Sequence, residues 1–270
     1  MTERLELLAE TPSEPSFPLP PALAERYPGT VGFPDEWLYA NFVESLDGVV
    51  ALPGVARANR LIADASDADH FVMALLRACA SVVLIGSGTL RASPSSRWLP
   101  ESVYPRAADA LAELRTALGL EPQPALAVVT TGTGPLALPP GLARRPIVLT
   151  TTSGAARLTG LAADVVAVSG DGAVDARAAV AALRERGHAR ILCEGGPTFF
   201  GSLLRAGLVD ELFLTVSPVL AGRAPGARTT LGLVEDDAFL PDTRIAAELA
   251  GVRRCAAHLF LRYRFEAAVR

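Results

Sequence analysis

Short apolar runs alternate with amphipathic stretches along most of the chain. Leu38–Val43 is an apolar run that leads into Ser45-Leu46-Asp47-Gly48, a strand and its turn. Over Ala68–Cys79, Phe71, Val72, Leu75 and Leu76 recur at helical spacing. Ser81–Gly86 is short and rich in β-branched residues and predicts a buried strand. Ala125–Thr130, Pro146–Thr151 and Asp164–Ser169 predict three more. Ala107–Leu118 reads as a helix closed by Gly119. Val174–Arg186 is an amphipathic helix with Val180 and Leu183 inward and Gly187 as its stop. Arg190–Glu194 is a strand, followed by a Gly-Gly-Pro turn and a helix over Thr198–Arg205. In Glu211–Ser217 the residues Leu212, Leu214 and Val216 share one face, and Pro218 ends the strand. His258–Phe265 alternates apolar and basic residues, the pattern of a late, half-exposed strand. The succession predicts an α/β fold with a mostly parallel sheet and antiparallel strands late in the chain. Residues 1–36 carry PSEPSFPLPP and predict an extended Pro-rich arm outside the core, lying over the domain or over a partner subunit. Residues 37–270 then form one domain.

Composition removes several chemistries. Of the 270 residues half are hydrophobic, and all 25 basic residues are Arg. The absence of Lys excludes a lysine Schiff base, a pyridoxal-phosphate anchor and a Walker A phosphate loop. Cationic contacts fall to guanidinium, which stays charged and cannot act as a base. Abundant Ala, Arg, Gly and Pro agree with GC-rich coding as the cause, and the exclusions hold whatever the cause. A net charge of −4 without long runs of one sign gives no nucleic-acid groove and no membrane surface. Cys79, Cys193 and Cys255 stand far apart without a CxxC, and MTERLELLAE is no secretory signal, so a cytoplasmic location is expected. His70, His188 and His258 are scattered, and no metal site is expected.

The strongest local signal for chemistry is Ile191 to Gly201, where a buried strand ends, Gly195 and Gly196 turn the backbone, and a helix begins with Pro197. Main-chain N–H groups at such a start, with Thr198 beside them, suit a phosphate; an ordinary tight strand-to-helix turn has the same sequence. Glu194 ends the strand at the edge where open α/β sheets bind ligands. It is either a group that accepts hydrogen bonds from a heterocycle or moves a proton, or a solvent-facing cap of the next turn. Gly86-Ser87-Gly88-Thr89 is a second Gly-rich turn after a strand, without the dinucleotide fingerprint GxGxxG. Two such turns can face one crevice and hold a dinucleotide. Thr131 lies in a third turn, Thr130–Gly134, which offers hydroxyls or is simply a polar loop. Arg77 on a helix and Arg91 and Arg97 in a loop are candidate phosphate contacts or surface charges. Asp47 reads first as a turn residue.

These pieces, in order, resemble the reductase domain of the riboflavin-biosynthesis deaminase–reductase, the RibD C-terminal type, a relative of dihydrofolate reductase. The resemblance rests on Ser45-Leu46-Asp47-Gly48, Leu75-Leu76-Arg77-Ala78, Val83 to Leu90, Glu194-Gly195-Gly196-Pro197-Thr198, and Leu208-Val209-Asp210-Glu211-Leu212 with Pro218 beyond. It implies a dihydrofolate-reductase-like sheet flanked by helices, an NADPH site, a small-molecule substrate and a homodimer. Cofactor contacts would come from Val43, Gly86, Gly88, Thr89, Thr131 and the stretch Gly195, Gly196, Pro197, Thr198, Phe199 and Phe200. Glu194 would hold the pyrimidine-like ring and Arg77 the ribose phosphate, with Asn41 beside the reaction and Ser45, Asp47 and Arg97 on the substrate side. The family's zinc-deaminase signatures HxE and PCxxC are absent here, which gives the expectation of a stand-alone reductase. Asn41 stands where the family has Lys, and Ser93 where it has Asp. A longer loop between Gly54 and Arg77 breaks the correspondence of the substrate-binding Ser. The cofactor side is thus kept while the substrate side differs. The alternatives are a paralogue acting on a pterin-like heterocycle and a non-catalytic nucleotide-binding protein.

Overall fold

The computed structural model describes residues 4–55, 58–223 and 229–266. Its strands are β1 (Glu6–Glu10), β2 (Trp37–Glu44), β3 (Val82–Gly86), β4 (Ala125–Val129), β5 (Ile147–Thr151), β6 (Asp164–Ser169), β7 (Arg190–Cys193), β8 (Glu211–Val216), β9 (Ala247–Cys255) and β10 (His258–Phe265). The helices are α1 (Pro21–Ala24), α2 (Ala58–Ile62), α3 (Asp67–Cys79), α4 (Ser87–Ala92), α5 (Pro100–Val103), α6 (Ala108–Ala117), α7 (Thr152–Arg157), α8 (Ala176–Arg184) and α9 (Pro197–Arg205). The strands form one sheet in the order β1-β9-β10-β8-β2-β7-β3-β4-β5-β6. From β8 to β6 all pairs are parallel, and β10, β9 and β1 add antiparallel strands at the other end. This is the mostly parallel sheet with late antiparallel strands that the periodicity predicts.

Alternation along the central strands feeds two cores, one on each face. Tyr39, Val83, Ile85, Val128 and Leu192 pack against Phe71, Leu75 and Leu76 of α3. Leu38, Ala40, Phe42, Leu84 and Cys193 pack with Val180 and Leu183 of α8 and Phe200 of α9 on the opposite face. Central strands apolar on both sides are what a sheet covered by helices on both faces requires.

Two expectations change, and one strand appears that the sequence pattern does not announce. Residues 1–36 are no separate arm: β1 pairs with β9, and Leu23, Tyr27, Val31 and Phe33 belong to the α3-side core. Charge fixes the segment in place, because buried Arg253 pairs with Glu10 and donates to the Pro28 carbonyl, while Arg262 reaches the Gly32 carbonyl. The prolines exclude a long helix there but not burial of the apolar residues between them. Asp164–Ser169 is an outer edge strand with no buried residue, since only β5 pairs with it. The β9 strand carries Gly251 and a mixed pattern, and its alternation is hidden by register shifts on both partners.

Candidate functional site

Parallel strands β7, β3, β4 and β5 lie side by side, so their carboxyl ends gather the Gly-rich turns on one edge of the sheet. There the first two turns meet. Gly86 donates its N–H to the Gly195 carbonyl at 2.8 Å. A Cβ on Gly86 would stand 3.1 Å from the Gly196 nitrogen, and one on Gly195 would stand 3.0 Å from the Thr89 hydroxyl oxygen. Gly195 also has φ +101°, a conformation side chains rarely adopt. The Gly195–Gly196 peptide is cis. Gly86 runs straight into α4, whose Thr89 leans over the glycine pair, and a Cβ on Gly88 would meet nothing within 4 Å. No side chain caps the start of α9 at Gly196, and Pro197 occupies its first turn. This main-chain cradle, glycine-lined and ending on an uncapped helix, suits the phosphates of a dinucleotide.

One strand further along, Thr131 follows β4 and its hydroxyl meets that of Thr133 at 3.0 Å. Arg157 from α7 holds this turn by donating to the carbonyls of Thr131 and Gly132, both at 3.2 Å. The Arg91 guanidinium reaches the same loop, 3.8 Å from where a Cβ would stand on Gly134.

On the α3 side of the sheet, Arg77 and Glu194 form a buried bidentate pair. Nε donates to Oε1 at 2.8 Å and Nη2 to Oε2 at 2.6 Å, with the two side chains 4% and 8% exposed. Glu194 therefore points inward beneath α3 rather than out as a solvent-facing cap. The expectation that Arg77 meets a substrate phosphate is not met by this side chain, whose fork is closed on Glu194; its remaining Nη1 is buried without a partner. Arg115 holds the C-terminal end of α3 by donating to the carbonyls of Arg77, Ala78 and Ala80 at 3.1, 3.0 and 2.8 Å. Burial lowers the Arg115 guanidinium to about 10, still far above neutrality.

Asn41 and Val43 lie on this same face of β2, next to the pair. Ala40 is in register with Cys193, so Asn41 and Glu194 are the next residues along. On the other flank Asn41 faces Phe213 and Val43 faces Thr215 of β8. Near the start of α3 burial raises the Asp69 carboxyl above the ordinary carboxylate range, and Thr215 works against this. The structure thus brings together Asn41, Val43, Arg77 and Glu194, and adds Asp69 and Thr215, which sequence reasoning missed. A signal existed: Asp69 and Arg77 are charged residues eight apart on a helix otherwise apolar on that side.

Other expected contacts are engaged elsewhere. Ser45 is buried, donates to Asp47 at 2.6 Å and accepts from the Val49 N–H at 3.0 Å. Asp47 accepts from the N–H groups of Ala221 and Gly222 at 3.0 and 2.8 Å. The Ser45 hydroxyl and these N–H groups hold its carboxyl at about 2. Both residues pin the segment after β8. The Thr198 hydroxyl donates to Asp236 at 3.0 Å. The rings of Phe199 and Phe200 belong to the α9-side core, Phe200 against Phe42 with centroids 4.7 Å apart, and the Phe200 N–H bonds the Gly196 carbonyl. Arg97 is exposed, with its guanidinium beside Gly141.

Comparison with known proteins accords with this geometry. The RibD C-terminal domain family matches residues 36–260. No curated protein matches the chain. A pyrimidine reductase-like protein from Corynebacterium diphtheriae superposes with a TM-score of 0.65 at 22% identity, covering 86% of this chain and 93% of that one. The riboflavin biosynthesis reductase Rib7 of Saccharomyces cerevisiae gives 0.59 at 15% identity, covering 88% and 93%. A diaminohydroxyphosphoribosylaminopyrimidine deaminase/5-amino-6-(5-phosphoribosylamino)uracil reductase from Thermotoga maritima gives 0.60 at 17%, covering 86% of this chain and 57% of that one. At these identities the superpositions establish a shared fold.

Proposed function

Because the chain belongs to the RibD C-terminal domain family, we propose that it is an NADPH-dependent reductase of a phosphorylated ribosylamino-pyrimidine such as 5-amino-6-(5-phosphoribosylamino)uracil. The observation that carries the reading is the crossing of Gly86 and Gly195 under Thr89, beside the uncapped start of α9. Main chain approaching a ligand without Cβ atoms suits a pyrophosphate. When bound, NADPH supplies a hydride, in the family reaction to C1′ of the ribosylamino group. Gly86, Gly88, Thr89, Gly195 and Gly196 line the cradle, Val43 and Asn41 the floor beside it. Thr131, with Arg91 beside its turn, offers hydroxyl and guanidinium contacts to the extra phosphate that separates NADPH from NADH. Glu194, oriented by Arg77, accepts hydrogen bonds from ring N–H groups of the substrate. The protein's contribution is mainly positioning.

A homodimer fits the sheet end. On the α9 side of β10 and β9, Leu249, Leu259, Leu261, Tyr263 and Phe265 are exposed or half-buried, an apolar strip suited to a second copy. The three cysteines are buried and none is in a disulfide, which suits a reducing cytoplasm. Among the described residues no helix is long and apolar enough to cross a membrane.

A second reading, a paralogue acting on a pterin-like heterocycle, is favoured by Asn41 in the family's Lys position and by the closure of the Arg77 fork on Glu194. Oxidation of NADPH followed at 340 nm with the aminopyrimidine phosphate and with a dihydropterin separates the two. Turnover of the pyrimidine supports the first reading. Turnover of the pterin alone replaces it with the second.

A further inference from the structure

Between β8 and β9 the residues from Leu231 to Phe239 run alongside α9 as a strap. Its start is fixed to the chain just after the Ser45–Gly48 turn. The Leu231 N–H donates to the Ala51 carbonyl at 2.9 Å, and the Leu231 carbonyl accepts from the Val50 N–H at 2.9 Å. Leu233 and Val234 then pack against the α9-side core. Polar contacts follow α9 from its first turn to its last. The Asp236 carboxylate accepts from the Thr198 hydroxyl at 3.0 Å. Val234 and Asp237 close on Gly201, where a Cβ would stand 3.1 Å from the Val234 Cγ1 and 3.1 Å from the Asp237 Oδ2. The Arg205 guanidinium pairs with Asp237, donates to the Ala238 carbonyl at 3.3 Å and lies over the Phe239 ring.

The strap accounts for two residues that are locally unfavourable. Gly201 stands inside α9, where glycine weakens a helix, and its missing Cβ makes the room that Val234 and Asp237 take up. Asp236 is held at φ +62°, a left-handed conformation that Asp and Asn adopt more readily than most residues. It is the middle of three successive acids. Glu235 turns back to accept from the Gly232 N–H at 2.7 Å, Asp237 goes to Arg205, and Asp236 is the one delivered to the first turn of α9. That turn is also where the glycine cradle ends. Its N–H groups lack partners inside the helix, and the helix dipole favours negative charge there. An exposed carboxylate already stands at this end, on Thr198. A dinucleotide seated in the cradle brings its pyrophosphate to the same turn, so two anions share one positive helix end and repel each other.

We propose that Asp236 is a built-in competitor of the cofactor's pyrophosphate, a carboxylate carried by the strap that sets the affinity of the cradle. The proposal rests on the dinucleotide reading of that cradle. Coupling between the two is reciprocal: a change that loosens Asp236 from Thr198 tightens the nucleotide, and bound nucleotide loosens the strap.

The test measures dissociation constants for NADPH and NADH by calorimetric titration of wild type, Asp236→Asn, Asp242→Asn and Gly201→Ala. Asp236→Asn keeps the shape of the side chain, an acceptor for Thr198 and a residue that tolerates positive φ; it loses the charge. NADPH and NADH then each bind about three- to tenfold more tightly, and by the same factor, because both carry the pyrophosphate. Asp242→Asn, exposed and further along the same segment, makes the same change in net charge and leaves both constants where they were. Gly201→Ala changes no charge and wedges Val234 and Asp237 away from α9, so binding again tightens. An Asp236→Asn protein that binds the nucleotides no more tightly than wild type, or less tightly, as the loss of a merely supporting contact would make it, overturns the proposal. A gain confined to NADPH also overturns it, since the carboxylate would then oppose the extra phosphate. An equal gain in Asp242→Asn overturns it as well, by making the effect one of overall charge. If Asp236→Asn does not fold, a Gly201→Ala protein that binds no more tightly than wild type overturns it. Wild type that binds neither nucleotide fails the cofactor reading itself, a result distinct from these.

Discussion

Truncating Glu194 to Ala isolates the consequence of the buried pair. In the native protein the Arg77 Nε and Nη2 donate to the two carboxylate oxygens at 2.8 and 2.6 Å, and Nη1 already lacks a partner. The variant leaves every N–H of a 4%-exposed guanidinium without its acceptor. Removing one partner of a buried ion pair costs about 3–5 kcal/mol, because the surviving charge remains desolvated. For a domain of this size that corresponds to a fall in Tm of about 6–20 °C. Arg77→Met/Glu194→Leu removes both charges and restores apolar volume, so most of the loss is recovered. Urea denaturation of wild type, Glu194→Ala and the double variant reads all three. A Glu194→Ala loss below about 1 kcal/mol, within the range of ordinary surface changes, refutes the reasoning; so does a double variant no more stable than the single. Glu194→Gln keeps one acceptor for Arg77 and is the cleaner probe of function. It retains NADPH binding and loses substrate turnover, measured by titration and at 340 nm.

Gly86→Ala sets a Cβ 3.1 Å from the Gly196 main-chain nitrogen. It destabilises by about 1–3 kcal/mol in urea, as overpacking does, and weakens NADPH binding in calorimetry. Asp47→Asn loosens the segment held at Ala221 and Gly222 and speeds proteolytic cleavage there. The Asp47 carboxyl is lowered from 3.8 to about 2, so its contribution is full above the unfolded value and is lost as pH falls toward about 2; wild type becomes cleavable over that window. Leu261→Arg places a charge on the apolar strip of β10 and turns the proposed dimer into a monomer by light scattering.

Most of the parallel sheet was legible because buried strands such as Ser81–Gly86 and Ala125–Thr130 are continuous apolar runs bounded by turns. Strands β1 and β9 were not, since β1 is almost wholly exposed, β9 mixes exposed and buried positions, and the two pair across more than two hundred residues. The N-terminal segment shows the same limit: its prolines mark extended backbone, while its burial depends on Arg253 and Arg262, more than two hundred residues away. At the site, the glycine turns announced a cradle because main-chain conformation is written into glycine itself. Side-chain partnership was not legible. Ser45 and Asp47 look like ligand groups in a motif, yet they hold residues 221 and 222. Arg77 looks like a phosphate contact, yet it closes on Glu194.

The most direct test of the dinucleotide cradle is a thermal-shift titration of the protein with NADPH and, in parallel, NADH. At a concentration one hundred times its Kd, NADPH stabilises the fold by about 2.7 kcal/mol, a rise of about 5–11 °C, and NADH by clearly less. An unchanged Tm with both nucleotides contradicts the account.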